Sequence, residues 1–419
     1  MKNKIITGID VGTTKIAVII AESDSESINI LGFGESLSEG LRKGVVVDIE
    51  KTSNAIEEAI NKAEEQAKIE VETAYVGITG EHVKGINCSG TITISNNEYM
   101  NPAGEIISKE DIKKVLESAE AMSLPPQRKI LHTLSREFKV DDNPNIINPE
   151  GLSGHRLEAN VHLVTIARNI ETDLKTCLER VGIEFDGLIL EPLASATSVL
   201  DKNEKQLGVS LIDIGGGTTD IIIYNNKSVI HTAAIPLGGE SLTNDIALGL
   251  TVTLNQAEKL KCEHGLAKES LASKEDEIVI KGVNGRGDSK VSQKSLCSII
   301  EARMKEIFYL AKNEIKKIEN ECNLNFGVVI TGGGSKLKNI KDLAAEVFEL
   351  DIQQGIPNSI NGIDDIINNP RYATTIGLVK YINENKDKDL RMIKNDEDLE
   401  LFEIFKKYYK KIIKKLKLK

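Results

Sequence analysis

The chain has 419 residues, of which 40% are hydrophobic and 28% charged, and its formal net charge is −11. That length is too great for a single hydrophobic core and predicts two to four domains of ordinary soluble composition. With no tryptophan and only 4% aromatics, cores must be built from Ile, Leu and Val, and aromatic platforms for single-stranded nucleic acid are disfavoured. The five cysteines (Cys88, Cys177, Cys262, Cys297, Cys322) form no CxxC pair and no HExxH occurs, so neither a zinc site nor a catalytic thiol is expected. The start, Met1-Lys2-Asn3-Lys4, leads into a short strand, so no secretory signal is expected, and no apolar run is long enough to span a membrane. Charge is unevenly spread: residues 406–419 hold eight lysines and no acid. Taking that +8 from −11 leaves −19 for residues 1–405, a body that repels nucleic acid and anionic lipid and a tail that attracts them.

In chain order, a strand pair over 4–20 is followed by strand candidates at 27–33 and 45–49. An amphipathic helix is predicted over 48–68, with Ile56, Ala59, Ile60, Ala63 and Ala67 on one face, and then a buried strand at 74–78. Mixed strands and helices in this order read as α/β. From residue 80 to about 165 the texture becomes a small α+β module: a polar strand at 90–95, a helix capped by Ser108 with Asp111 at the capping-box spacing, a stop at Pro125-Pro126, a strand at 130–140, a turn-rich loop over 141–154 and a strand at 157–166. A helix at 170–181 and a strand at 185–190 restore the α/β texture, and Glu191-Pro192 opens the next helix with proline in its first turn. Beyond a second strand pair, a helical region runs from Gly238 to Gly265. It is followed by a polar glycine loop, a long helix over 293–321, a strand at 326–330, a helix over 371–381 and a charged linker.

One phrase occurs twice: Gly8-Ile9-Asp10-Val11-Gly12-Thr13-Thr14-Lys15, and Leu211-Ile212-Asp213-Ile214-Gly215-Gly216-Gly217-Thr218-Thr219-Asp220. Each is an apolar strand ending in aspartate, a turn of small residues and a second β-branched run, which is a β-hairpin pattern. Glycine turns bring backbone N–H groups close enough to make an anion nest, and an aspartate beside phosphates holds Mg²⁺ through its water shell. Two such hairpins face to face would clamp a polyphosphate. A triple glycine, Gly332-Gly333-Gly334, follows a third buried strand and marks a further close backbone approach, the natural adenosine site. There is no P-loop and no G-x-G-x-x-G after a strand.

The ordered set of Asp10 hairpin, Glu191 helix, Asp213 hairpin, Gly332–Gly334 turn and Arg371 helix resembles the actin and sugar-kinase ATPase superfamily up to about residue 382. Within it, Asn148-Pro149-Glu150-Gly151-Leu152-Ser153-Gly154-His155-Arg156-Leu157, His162-Leu163-Val164-Thr165, Leu193-Ala194-Ser195, Pro236-Leu237-Gly238-Gly239 and Asp245-Ile246-Ala247 resemble the bacterial cell-division FtsA family. The resemblance implies an actin-like two-domain α/β fold with an inserted α+β subdomain and a C-terminal amphipathic helix. It divides the chain into a first large subdomain (1–80, 166–200, 360–383), the insert (81–165), a second large subdomain (201–240, 325–359), a second small one (241–324), a linker (384–398) and the helix (399–419). It implies ATP with Mg²⁺ as cofactors. Asp10, Gly12, Thr13, Thr14 and Lys15 would form the first phosphate turn, and Asp213, Gly215, Gly216, Gly217, Thr218 and Thr219 the second, with Asp10 and Asp213 holding hydrated Mg²⁺. Glu258 and Lys261 would face base and ribose, alternatively forming only a solvated helix face, and Glu191 would position water for at most slow hydrolysis.

At the end of the chain, Leu401, Phe402, Phe405, Tyr408, Tyr409, Ile412, Ile413 and Leu416 recur at spacings of three and four, opposite Lys406, Lys407, Lys410, Lys411, Lys414 and Lys415. That is the pattern of an interfacial helix on anionic lipid; without lipid the tail is expected to be disordered. The resemblance adds the tail of the tubulin-like ring protein FtsZ as a partner, near Arg303 and Glu306, with late division proteins at the insert and other copies of the chain in a filament; the acidic body argues against nucleic acid as a partner. Its expected place is the cytoplasmic face of the bacterial inner membrane at the division septum. A pilus-assembly actin-like ATPase and a sugar-kinase-type phosphotransferase are the competing readings.

Overall fold

The computed structural model describes residues 4–23, 27–94, 104–273, 275–282 and 287–385. The lysine-rich run 399–419 and the linker from residue 386 onward lie outside the described residues.

The first half opens with β1 (Lys4–Val11), β2 (Lys15–Ser23) and β3 (Ile28–Leu37), then a short pair β4 (Leu41–Arg42) and β5 (Val45–Val46), α1 (Ile49–Ala67) and β6 (Thr73–Ile78). The strand expected at 45–49 stops at Val46 because Asp48 caps the helix, its carboxylate accepting from Lys51 N at 3.1 Å. The chain then leaves into the insert: β7 (Lys84–Thr93), β8 (Glu105–Ile106), α2 (Lys109–Glu120), β9 (Arg128–Val140), β10 (Asn143–Ile146), β11 (Ser153–Gly154) and β12 (Arg156–Ala167). Its four-stranded sheet, ordered β10-β9-β12-β7, carries α2 on one face. Ser108 and Asp111 form the expected capping box. The polar strand begins at Lys84, earlier than expected, and the supposed loop 141–154 contains β10 and β11.

The chain returns through α3 (Arg168–Arg180), β13 (Glu184–Leu190) and α4 (Glu191–Val199). The first large sheet is thus β13-β6-β1-β2-β3, parallel between β1, β6 and β13 and antiparallel through β2 and β3.

The second half repeats the plan. After α5 (Lys202–Leu207) come β14 (Val209–Ile214), β15 (Thr219–Asn225) and β16 (Ser228–Ile235), then α6 (Gly239–Leu250), α7 (Leu254–His264), β17 (Glu277–Ile280), β18 (Ser289–Ser292) and α8 (Gln293–Lys316). β19 (Val328–Thr331), α9 (Ile340–Phe348) and β20 (Ile352–Gln354) complete a sheet ordered β16-β15-β14-β19-β20, and α10 (Asp364–Ile367) leads to α11 (Ala373–Glu384). The helical region expected from Gly238 to Gly265 is two helices, broken where Thr251 turns left-handed at φ 54°. The long helix ends at Lys316, short of residue 321. The helix expected from Arg371 starts at Ala373, with Arg371 in a single 3₁₀ turn, and it runs to Glu384.

The two halves meet along α4 and α11. They pack closely enough that a methyl group on Gly377 would fall 1.9 Å from Ala194 O, so only glycine fits there. One hydrophobic core runs from the first sheet to Val209, Leu211, Ile222 and Val329 of the second.

Candidate functional site

The two hairpins are built alike. Val11 pairs with Ile16 and Ile214 with Thr219, which leaves four-residue turns at Gly12–Lys15 and Gly215–Thr218. The turns meet tip to tip. A methyl on Gly216 would lie 2.4 Å from the Thr14 side chain, and one on Gly217 would lie 2.3 Å from Thr13 Oγ1. The second turn therefore has glycines where the threonines of the first press against it.

Four carboxyl groups converge behind these tips: Asp10 at the end of β1, Glu191 at the start of α4, Asp213 on β14 and Asp220 on β15, all between 4% and 8% exposed. One cation accompanies them, Lys15, whose Nζ lies 2.8 Å from Asp10 Oδ2. Thr375 donates to the same oxygen at 3.0 Å. Asp213 Oδ2 accepts from Ser195 Oγ at 2.5 Å and Thr374 Oγ1 at 3.0 Å. Asp220 accepts from Thr218 at 3.1 Å and from Thr79.

Burial, together with the charges of Asp10, Asp220 and Asp213, raises the Glu191 carboxyl well above the usual carboxylate range. Burial also raises Asp213, against the hydrogen bonds from Ser195 and Thr374, and lifts Asp220 to about 7. Such a cluster is short of positive charge, which a hydrated divalent cation would supply. Among the described residues no group of three or more His, Cys, Asp or Glu is arranged to ligate a metal directly.

The other expected residues lie around the second turn. Gly332, at φ 82°, sits so close to Asp213 that a methyl there would be 2.2 Å from Oδ1. Gly334 packs on Ile214, and Gly333 faces Arg371. Gly333 and Gly334 open a 3₁₀ turn that runs to Lys336, ahead of α9. Lys261 Nζ donates to Gly239 O at 2.9 Å, and Gly239 N donates to Gly215 O at 2.9 Å, which ties α7 to the second turn. Glu258 pairs with Lys261 at 2.7 Å and stays half exposed. Arg303 and Glu306 stand on α8 far along the chain from this cluster. Arg303 grips Asp245 of α6 with two nitrogens, at 2.5 and 3.0 Å, and also pairs with Glu306.

Five polar residues of the cluster carry no site role in the sequence reading, although two of them, Ser195 and Asp220, lie within its motifs: Thr79, Ser195, Asp220, Thr374 and Thr375. Asp220 closes the repeated phrase and stands directly across the hairpin from Asp213, a placement that hairpin register alone gives. The adjacent pair Thr374-Thr375, one hydroxyl for each hairpin's aspartate, follows the Arg371 motif, and only the fold reveals its use.

Two five-stranded sheets, each led by such a hairpin and joined by two closely packed helices, define the class: an actin-like α/β fold with an inserted subdomain. Solved structures share it. A chain of the PilM–PilN type IV pilus biogenesis complex matches with TM-score 0.63 at 14% identity over 90% of this chain and 98% of that one. MreB 5 of Spiroplasma citri bound to AMPPNP matches with TM-score 0.54 at 14% identity over 93% and 99%. Residues 80–165 match the model of the SHS2 domain inserted in FtsA, and residues 210–377 match that of cell division protein FtsA. Cell division protein FtsA of Pseudomonas aeruginosa is 39% identical over 379 residues, 90% of this chain and 89% of that protein. Its Bacillus subtilis counterpart is 34% identical over 385 residues, 91% and 84%. The chain belongs to the FtsA family of cell-division proteins.

Proposed function

We propose that this division protein binds ATP with Mg²⁺ between its two hairpins, polymerises on the cytoplasmic face of the bacterial cell membrane and tethers the FtsZ ring there. The observation that carries the nucleotide part is the tip-to-tip approach of two glycine turns over four buried carboxyl groups and one lysine. Asp10 and Asp213 would hold hydrated Mg²⁺, Lys15 and the turn amides the phosphates, and Gly332–Gly334 with Glu258 and Lys261 the adenosine. When bound, the metal supplies positive charge to the phosphates. Glu191, pushed toward its protonated form by burial and its acidic neighbours, orients a water without readily taking its proton, and slow turnover follows.

Attachment rests on the last residues. Each lysine near an anionic leaflet contributes about 1 kcal/mol at most, so one helix binds reversibly, and a filament of many copies gains avidity of roughly 10²-fold or more. Deleting residues 401–419 is expected to abolish sedimentation with anionic liposomes while leaving nucleotide binding intact; unchanged sedimentation would refute the anchor.

For the FtsZ tail, an open groove of about 620 Å³ lies between α6 and α8, lined by Gly249, Leu250, Ser295 and Ile299, with Leu248 exposed beside it. Arg303 and Glu306 lie one to two turns further along α8, and charge reversal there is expected to weaken binding of an FtsZ tail peptide. Late division proteins are assigned to the insert. The pilus-assembly reading shares the fold, and the lysine-rich end favours the membrane tether over it.

A further inference from the structure

The insert is not free at the end of its two connecting strands; it clasps the opposite half of the molecule. Its sheet lies against β16, the strand next to the second phosphate hairpin. There, Asn87 Nδ2 on β7 donates to Ile230 O at 3.3 Å. Asn87 Oδ1 faces His162 Nδ1 of β12 at 2.6 Å, and His162 Nε2 faces Thr232 Oγ1 at 2.8 Å. An amide oxygen only accepts, so Nδ1 carries the ring proton and Nε2 accepts from the threonine hydroxyl. Burial, with His231 and Arg136 nearby, lowers the ring's pKa to about 3, so the imidazole is neutral and every polar atom in the circuit is satisfied. β16 supplies both ends of this closed circuit.

Gly85 makes the fit possible. A methyl there would fall 2.6 Å from His162 Cε1 and 2.8 Å from Thr232 Oγ1. Two further contacts flank the circuit: Ser228 Oγ donates to Arg136 O at 2.7 Å, and Arg136 pairs with Glu321 at 2.6 Å.

Thr232 is paired with Ile222, two residues along β15 from Asp220. At the insert's root, Thr79, which precedes β7 by five residues, donates to that same Asp220. Arg128 spans the two connecting strands, donating to His82 O at 2.9 Å and Thr165 O at 2.7 Å.

We propose that the insert is a latch across the cleft: rooted in the first half and clasped to β16 of the second, it must release Asn87 and His162 before the two phosphate hairpins can separate. A protein that draws the insert away from β16 would thereby open the nucleotide cleft, which makes partner binding and nucleotide exchange one motion. This rests on the nucleotide reading above, and its test is built to fail separately from it.

Thr232→Val leaves His162 Nε2 buried without a donor, and Gly85→Ala wedges the ring from β16. In the full chain, both are expected to release a fluorescent ATP analogue about tenfold faster than wild type, while Thr232→Ser, which keeps the hydroxyl, restores the wild-type rate. Amide hydrogen exchange at residues 215–220, measured without nucleotide, should rise in both variants and return to normal in Thr232→Ser. Wild-type protein that fails to hold the analogue would overturn the nucleotide reading while the exchange data still judge the latch. Exchange and release unchanged in Thr232→Val would overturn the latch.

Discussion

The two hairpins share a phrase and a turn length, yet they are charged differently. The register places Lys15 of the first opposite in role to Thr218 of the second, and Ala17 where the second has Asp220. The first hairpin is thus a neutral Asp–Lys pair and the second carries two carboxyl groups with hydroxyl partners only. The same asymmetry holds in shape: Thr13 and Thr14 project from one turn, and Gly216 and Gly217 recede in the other. One side therefore brings its own countercharge, and the other is left wanting a cation. On the proposed reading, a site so divided would be completed by both halves together with a Mg²⁺-polyphosphate.

Breaking the self-sufficient side should cost most. Lys15→Ala strands a buried Asp10 carboxylate, and removing one member of a buried pair typically destabilises by about 3–5 kcal/mol. Urea unfolding of the nucleotide-free protein checks this, and a loss below about 1 kcal/mol would mean the pair is already hydrated.

The shape difference is next. Gly216→Val forces a side chain into Thr14 and is expected to cost about 1–3 kcal/mol. Combining it with Thr14→Gly should recover most of the loss, because the projecting and receding residues have merely been exchanged. A double variant as unstable as the single one would show that the glycine serves something other than this contact.

Smaller still are the hydroxyls. Thr374→Val and Thr375→Val each remove one donor from a buried carboxyl, at about 1–3 kcal/mol. Asp213 retains Ser195, and Asp10 retains Lys15, so both should sit at the lower end in thermal melts. Thr374→Val should also raise the apparent pKa of the acidic cluster, a direction that a purely steric effect would not give.

The pH dependence sharpens the charge difference. Asp220 lies at about 7 against an ordinary 3.8, so the folded chain keeps a proton that the unfolded chain has released. Its contribution is fully present below the ordinary value and is lost as pH rises through about 7. Glu191 and Asp213 are raised and act in the same direction. The nucleotide-free protein should therefore melt at a lower temperature at pH 8 than at pH 6, and Asp220→Asn should flatten that slope.

Much of this was legible in the chain because it is local. Both hairpins follow from apolar strands around Gly-Thr turns, the capping box at Ser108 from its spacing, and the buried face of α1 from Ile56, Ala59, Ile60 and Ala63. What escaped depends on unusual backbone or on distance. β16 follows β15 through Asn226-Lys227, both at positive φ, a turn usually announced by Asn-Gly. The break between α6 and α7 rests on a left-handed Thr251 rather than a glycine. Thr79, Ser195, Thr374 and Thr375 reach the acids from separate parts of the chain, and no local pattern marks a hydroxyl as the partner of a carboxylate assembled by the fold. The clasp of Gly85, Asn87 and His162 on β16 escaped for the same reason.

The central claim is that the second hairpin is left short of a cation that arrives with the nucleotide. Calorimetric titration of ATP with and without Mg²⁺, on wild type and Asp213→Asn, tests it most directly. Wild type should bind at least tenfold tighter with Mg²⁺ and release protons as the raised carboxyl groups ionise, giving a binding enthalpy that varies with the buffer; Asp213→Asn should lose both the Mg²⁺ dependence and most of the proton release. Equal affinity with and without Mg²⁺ in the wild type, or a variant indistinguishable from it, would contradict the account.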